Sequence, residues 1–210
     1  MGVLKAYAFI TVQTDNKFVS MHRLVHLAIR NWLREEGQLK GWLLRALDHF
    51  NGIFPSSEHK NRSLWREYLP HAQFILQSRE ISQRNEFQTL AETVGDCLYH
   101  DERYNEAGTL FQEICIARWG QSEKGDGDQD ILLILGRLSS TYRKQGRLKD
   151  AEVLGVQLME TRKRVLGFEH TDTLTSMKNL AQGRLREAKM LERRVLETVM
   201  TISGADLGDP

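Results

Sequence analysis

Along most of the chain, apolar residues recur at three- and four-residue intervals, the spacing that lays them on one face of an α-helix. The clearest run starts at Asp130, a residue suited to capping a helix start: Ile131, Leu135, Leu138 and Tyr142 share a stripe that Gly146 ends. A second stripe, Leu148, Ala151, Leu154, Leu158 and Val165, follows at once and stops at Gly167. Two helical stripes joined at a glycine predict an αα-hairpin. Earlier, Leu39 to Phe54 and Leu64 to Gln77 show the same spacing, with Trp42, Leu43, Leu47, Phe50, Trp65, Leu69, Phe74 and Ile75 as expected buried anchors. Only the first part departs from this pattern. The stretch AFITVQTDNKFVSM alternates apolar and polar residues on either side of Asp15-Asn16, which predicts a β-hairpin with a tight turn. Directly after it, HRLVHLAIRNWLREEG returns to helical spacing, with Leu24, Val25, Ala28, Ile29 and Trp32 on one face and Gly37 as stop. Hairpin then helix predicts the end of a winged-helix domain.

The hairpin of residues 130–167 is one of a series, and the series carries two periods. QGRLKDAE, Gln145 to Glu152, returns as QGRLREAK, Gln182 to Lys189, 37 residues on, whereas Asp130 to Leu138 aligns with Asp172 to Leu180, 42 residues on. Five residues are therefore absent from the third unit, those equivalent to the Tyr142-bearing end of its first helix. The unit opens with Thr171, Asp172, Leu174, Met177, Leu180 and Ala181, and its remainder, Leu185, Ala188, Leu191, Val195 and Leu196, keeps second-helix spacing. Losing about one and a half turns predicts either a skewed hairpin or two helices running nearly continuously through Gln182-Gly183, with Ala188 deprived of its usual partner. Upstream, a first unit matches at Gly95, Leu98, Ala107 and Phe111, with Glu102 in place of the turn glycine and the acidic loop GDGDQD absorbing extra length. Gly155 stands where a large side chain would fill the space between paired helices. SGADLGDP aligns with LGFEHTDT at the same offset of 37, as though a fourth unit were starting.

The set Leu138, Ser139, Tyr142, Gly146 and Ala151 resembles the tetratricopeptide repeat, and METRKRVLGFEHTDTLTSMKNLA resembles the 42-residue variant of kinesin light chains and fungal signalling proteins. MHRLVHLA, Met21 to Ala28, is similar to the MHD-type motif that closes the nucleotide-binding region of NB-ARC proteins, in the STAND class of signalling ATPases. That resemblance implies a contact between His22 and bound ADP. In the order hairpin, MH-motif helix, tryptophan-bearing helices and repeats, residues 6 to 204 resemble a fragment of a fungal NB-ARC, NLR-like protein. The implied architecture is mainly α, a tetratricopeptide-like αα-hairpin solenoid after a small winged-helix-like hairpin and helix. Its expected bounds are 1–37 for the end of the NB-ARC region, 38–80 for a helical connector, 81–204 for about three repeats, and 205–210 for a tail.

Composition narrows the function. The chain has 210 residues, 27% of them charged, and a formal net charge of +1, so no overall field calls for nucleic acid or membrane. No apolar run is long enough for a membrane span and no signal peptide is evident, which points to the cytoplasm. Cys97 and Cys115 stand among core-spaced residues and are expected to be buried thiols. No residues form a recognisable catalytic arrangement, and HRLVH, with His22 and His26 four apart, lacks the glutamate of HExxH, so no metal is expected. No GxxxxGK[ST] loop is present, so no cofactor is expected, with ADP or ATP only if an upstream ATPase domain is joined.

Charge is polarised within the repeats. Residues 80–130 carry twelve acidic and four basic residues, and residues 137–164 carry eight basic and three acidic. Arg143, Lys144, Arg147, Arg162, Lys163 and Arg164 are accordingly candidate contacts for an acidic peptide. RNA is not expected, because exposed aromatics are not interleaved with them. Stacked hairpins offer a surface rather than a chemical pocket. The leading expectation is a non-enzymatic protein–protein interaction module, the sensor or scaffold part of a STAND-type receptor without its ATPase. The alternatives are a free-standing adaptor like kinesin light chain and a remnant nucleotide switch. Self-association through an uncapped last repeat is also expected.

Overall fold

The computed structural model describes residues 10–12, 19–121 and 129–205. Two short strands, β1 (Ile10–Val12) and β2 (Val19–Met21), pair antiparallel with Ile10 opposite Met21. The tight turn expected at Asp15-Asn16 lies outside the described residues, as does most of the acidic loop before Asp130. Eight α-helices follow among the described residues: α1 Arg23–Glu35, α2 Leu39–Ile53, α3 Arg62–Leu76, α4 Asn85–His100, α5 Tyr104–Gln121, α6 Gln129–Lys144, α7 Leu148–Leu166 and α8 Thr171–Ala205. From α4 onward each helix packs chiefly on its neighbours in sequence, as in a solenoid.

The winged-helix reading is not supported. Helix α1 has no buried residue, and Leu24, Ile29 and Trp32 of its apolar face are exposed. Its attachment runs instead through polar edges: His26 meets the Phe74 ring edge-on, and the Arg30 guanidinium lies over the same ring. Trp42, expected inside, is half exposed and covered by Arg45. Val165 is also exposed. Of the other connector anchors, Leu43, Leu47, Trp65, Leu69 and Ile75 are buried, whereas Phe50 and Phe74 are half-buried. One hydrophobic core runs without interruption from Leu43 through Ala151, so the connector helices share the interior of the first two repeats.

Two reversals of the chain have the same build. After α6, Gly146 adopts φ 77°, its N–H donates to Arg143 O, and the Arg147 N–H donates to Tyr142 O. After α4, Glu102 adopts φ 64°, its N–H donates to Tyr99 O, and the Arg103 N–H donates to Leu98 O. This is the paired-bond ending in which one residue enters the left-handed region to turn the chain off the helix. Glycine enters that region freely; glutamate meets its own Cβ there.

The contact inside the hairpin differs between the first two units. In the first unit a Cβ added at Gly95 would stand 2.7 Å from the Phe111 ring, so α4 has no room for one. In the second unit the residues aligned with Gly95 and Phe111 are Ser139 and Gly155. The Ser139 hydroxyl donates to Ala151 O at 3.1 Å, and a Cβ at Gly155 would find only ordinary contact, 3.6 Å from Ser139 Oγ and 3.7 Å from Leu180 Cδ1. Beside Gly155 the absent ring leaves a cavity of about 50 Å³ between α6, α7 and α8.

The units are also tied by charge. Glu92 on α4 receives Arg118 from α5 and Arg137 from α6, and Arg137 reaches Asp96 at 3.1 Å. Burial pushes the Asp96 carboxyl upward, with Arg137 opposing and Glu92 adding to the rise. At the first reversal, Arg62 and Arg66 of α3 both bind Asp101. Burial would raise that carboxyl, but the hydrogen bonds and charges of Arg66 and Arg62 hold it below the usual carboxylate range. Both cysteines are buried free thiols, each pushed up to about 12, chiefly by burial.

Replacing Glu102 with Gly should stabilise the chain by about 0.5–1 kcal/mol, the relief of left-handed strain less the added chain entropy; an unchanged urea midpoint would contradict the turn assignment. Gly155→Ala should add about 1 kcal/mol by removing a mid-helix glycine where a Cβ meets only ordinary contacts, while Gly95→Ala should lower the thermal midpoint. Equal responses at the two sites would refute the difference in packing between the two units.

Candidate partner-binding surfaces

The six basic candidates do not form one cluster. Arg143, Lys144 and Arg147 stand where α6 turns into α7, and Arg162, Lys163 and Arg164 stand at the far end of α7, antiparallel to α6. Arg162 is anchored at Leu132 and Arg143 lies eleven residues further along α6, which is about 16 Å of helix. Their environments differ as well. Arg162 is buried and donates to Leu132 O at 3.2 Å, Asp172 O at 3.2 Å and Ser176 Oγ at 2.7 Å, binding α6, α7 and α8 together. Burial lowers its pKa against the opposing charge of Asp172. Arg143 is half-buried and donates to Asn179 O and Ser140 Oγ. The two line opposite parts of the cavity beside Gly155.

The remaining four are more open. Arg147 bonds Asp150 at 2.8 Å and lies 4.1 Å over the Tyr142 ring, Lys144 sits above Tyr104, and Lys163 sits above Phe168. Arg164 is exposed and has an interaction partner.

A larger concavity lies in the first unit. Helices α3 and α5 wall a groove of about 730 Å³ floored by α4, with buried Leu76, Phe87, Ala91, Leu98 and Ile114 at its base. A hydrogen bond links its walls at one end, Gln73 Nε2 donating to Glu106 Oε2 at 3.0 Å, and at the other Gln121 Nε2 of α5 donates to Gln83 O, just before α4, at 3.0 Å. Glu106 and Gln121 are fifteen residues apart on α5, so the span is about 22 Å. Ile116, 75% exposed, and half-buried Leu110 line the α5 wall with Glu113. The lining holds two carboxylates and no cationic side chain. The hydrogen bond from Arg103, opposed by burial and aided by Gln73, keeps the Glu106 carboxyl low and hence ionised. These residues were not among the sequence candidates. The available signal was Ile116, an apolar residue out of phase with the buried stripe of α5.

His22 caps α1: its Nδ1 accepts the Leu24 N–H at 3.3 Å. His26 turns to Phe74, so the two histidines have separate partners. Among the described residues no group of three or more His, Cys, Asp or Glu could hold a metal ion, and no helix is long and apolar enough to cross a membrane.

Arg162→Leu should destabilise the chain by about 2–3 kcal/mol, because the charge-assisted bonds its guanidinium gives to Leu132 O, Asp172 O and Ser176 Oγ would be lost, while Arg147→Ala should leave the urea midpoint unchanged. Equal midpoints for the two variants would refute the structural role of Arg162.

The tetratricopeptide repeat family matches residues 131–172, one 42-residue period covering α6, α7 and the first residues of α8. Over 113 residues, 53% of the chain, the sequence is 37% identical to a nucleotide-binding leucine-rich repeat (NLR)-like protein of Hyaloscypha variabilis, of whose length the match spans 11%. Among solved structures, the fold is similar to the nearly identical TPR-like repeats of a Podosopora anserina kinesin light chain-type protein. The TM-score is 0.52 at 15% identity, over 87% of this chain and 95% of that one; a variant of the same protein matches equally, over 94% of its length. The fold is thus a tetratricopeptide-like array of helical hairpins, one period of which matches that repeat family in sequence, and the chain is similar in sequence to a fungal NLR-like protein.

Proposed function

We propose that this chain is a non-enzymatic protein-interaction module, the sensor or scaffold part of a STAND-type signalling receptor. The observation that carries the interaction role is the groove between α3 and α5, long enough for four helical turns or six to seven extended residues by the usual rises of about 1.5 and 3.3 Å per residue. An apolar floor beneath an acidic and glutamine-rich rim suits a segment with apolar anchors flanked by Lys or Arg. The similarity to an NLR-like protein supports the receptor part of this reading. Lys144, Arg147, Lys163 and Arg164 serve as contacts for acidic residues elsewhere on the same partner, with Arg143 and Arg162 supporting the helices beneath. The contact of His22 with ADP belongs to a receptor in which an ATPase domain adjoins it.

Peptides selected from a random library on this chain should carry apolar residues at helical or alternate spacing beside basic ones. Ile116→Asp combined with Glu113→Lys should weaken their binding about tenfold or more, roughly 1.4 kcal/mol, with helicity and thermal midpoint unchanged. Binding indifferent to both substitutions would place the partner elsewhere.

A further inference from the structure

Helix α8 is docked by a mixed face on which polar Thr173 and Ser176 adjoin half-buried Leu180. Thr173 and Ser176 are buried against α7 and the Arg162 guanidinium, while Leu174, Leu185, Leu191, Val195 and Leu196 are exposed. A surface helix ordinarily turns most of its apolar residues inward. The outward stripe keeps a strict heptad, Leu174, Ala181, Ala188 and Val195, which is the repeat of a helix that pairs along its length with another.

The cause lies in the five absent residues. In the second unit, α6 and α7 fold against each other with Ser139 bonded to Ala151. The equivalents in α8 are Ala181, at the offset of 42, and Ala188, at the offset of 37. They sit seven residues apart on one unbroken helix, about 10 Å, and cannot meet. The half of α8 from Leu185 has second-helix spacing, yet its partner half lies behind it in the same rod. Shortening a hinge until a hairpin cannot close drives exchange of that element between copies.

We propose that two copies of this chain pair through α8, antiparallel, each supplying the second-helix half that the other's third unit lacks. Setting Ala181 against Ala188 of the second copy places Ala188 against Ala181 in turn. The same register sets Leu174 against Val195 and, about the two-fold axis, Leu185 against Arg184, whose guanidinium is held by Glu152 of its own chain. The match is isologous and closes at two chains. Alanines at its centre let the axes approach to about 8 Å, the close end of helix packing. This pairing is independent of the groove between α3 and α5, which it leaves open.

Sedimentation equilibrium on the 210-residue chain should give twice the chain mass at micromolar concentration. Val195→Glu should raise the dissociation constant at least about a hundredfold, since each dimer would bury two such carboxylates, while leaving peptide capture by the groove intact. Inserting a second copy of Ser140–Lys144 after Ala181 restores the 42-residue spacing and should convert the dimer to a monomer with the third hairpin closed. Should that insertion misfold, oxidation of an equimolar mixture of Ala181→Cys and Ala188→Cys chains provides a separate test. It should yield a mixed disulfide dimer that neither variant forms alone. A concentration-independent monomer, or cross-linking of the Ala181→Cys chain to itself, would overturn the proposal.

Discussion

A helical hairpin depends on the residue that reverses the chain, and this array shows the reversal made by the expected residue, made by a costly one, and lost. Gly146 enters the left-handed region without strain, and Glu102 enters it against its own Cβ. Both satisfy the last carbonyls of the preceding helix with the same two bonds, so the tertiary packing of the first unit is strong enough to impose the conformation on an unsuitable side chain. At Gln182-Gly183 no reversal forms, and α8 runs on for 35 residues. Gly183 is present there, but a glycine alone cannot end a helix when the residues that would be packed on either side of the turn are missing.

The interior follows from those reversals. Where a hairpin closes, the contact between its helices differs by unit, Phe111 on Gly95 in one and two small residues, Ser139 beside Gly155, in the next. The second unit lacks the ring and is held more by polar bonds: Arg162 reaches carbonyl or hydroxyl oxygens on α6 and α8, and Arg143 reaches Asn179. Glu92 with Arg118 and Arg137 makes the same kind of tie between the first two units, at partly buried positions where an ion pair is screened less than on open surface. Acidic and basic runs that look like opposed surfaces along the chain are thus partly spent on each other.

Helix positions and the hairpin pairing were legible because period 3.6 and the turn residues report local geometry directly. The continuous α8 was legible as one of two outcomes, from arithmetic on the two offsets. Burial was harder to read where an element has no neighbour to pack on: the α1 stripe and Trp42 have core-like spacing but little to cover them, so they stay exposed. The role of Arg162 was not legible at all. In sequence it sits in the run Arg162-Lys163-Arg164, and only folding distinguishes the arginine that turns inward from its exposed neighbours. The groove was missed for a related reason, since its two walls come from helices separated by α4 and no local pattern reports their spacing.

The two buried thiols give the first unit an internal gauge. With their pKa values near 12, Cys97 and Cys115 hold almost no thiolate at neutral pH, and both are buried in the folded chain. Alkylation must therefore await separation of α4 from α5, and its rate reads how often that hairpin breathes. Because Glu92 joins this hairpin to α6, the same chemistry also senses whatever grips or loosens the next unit along.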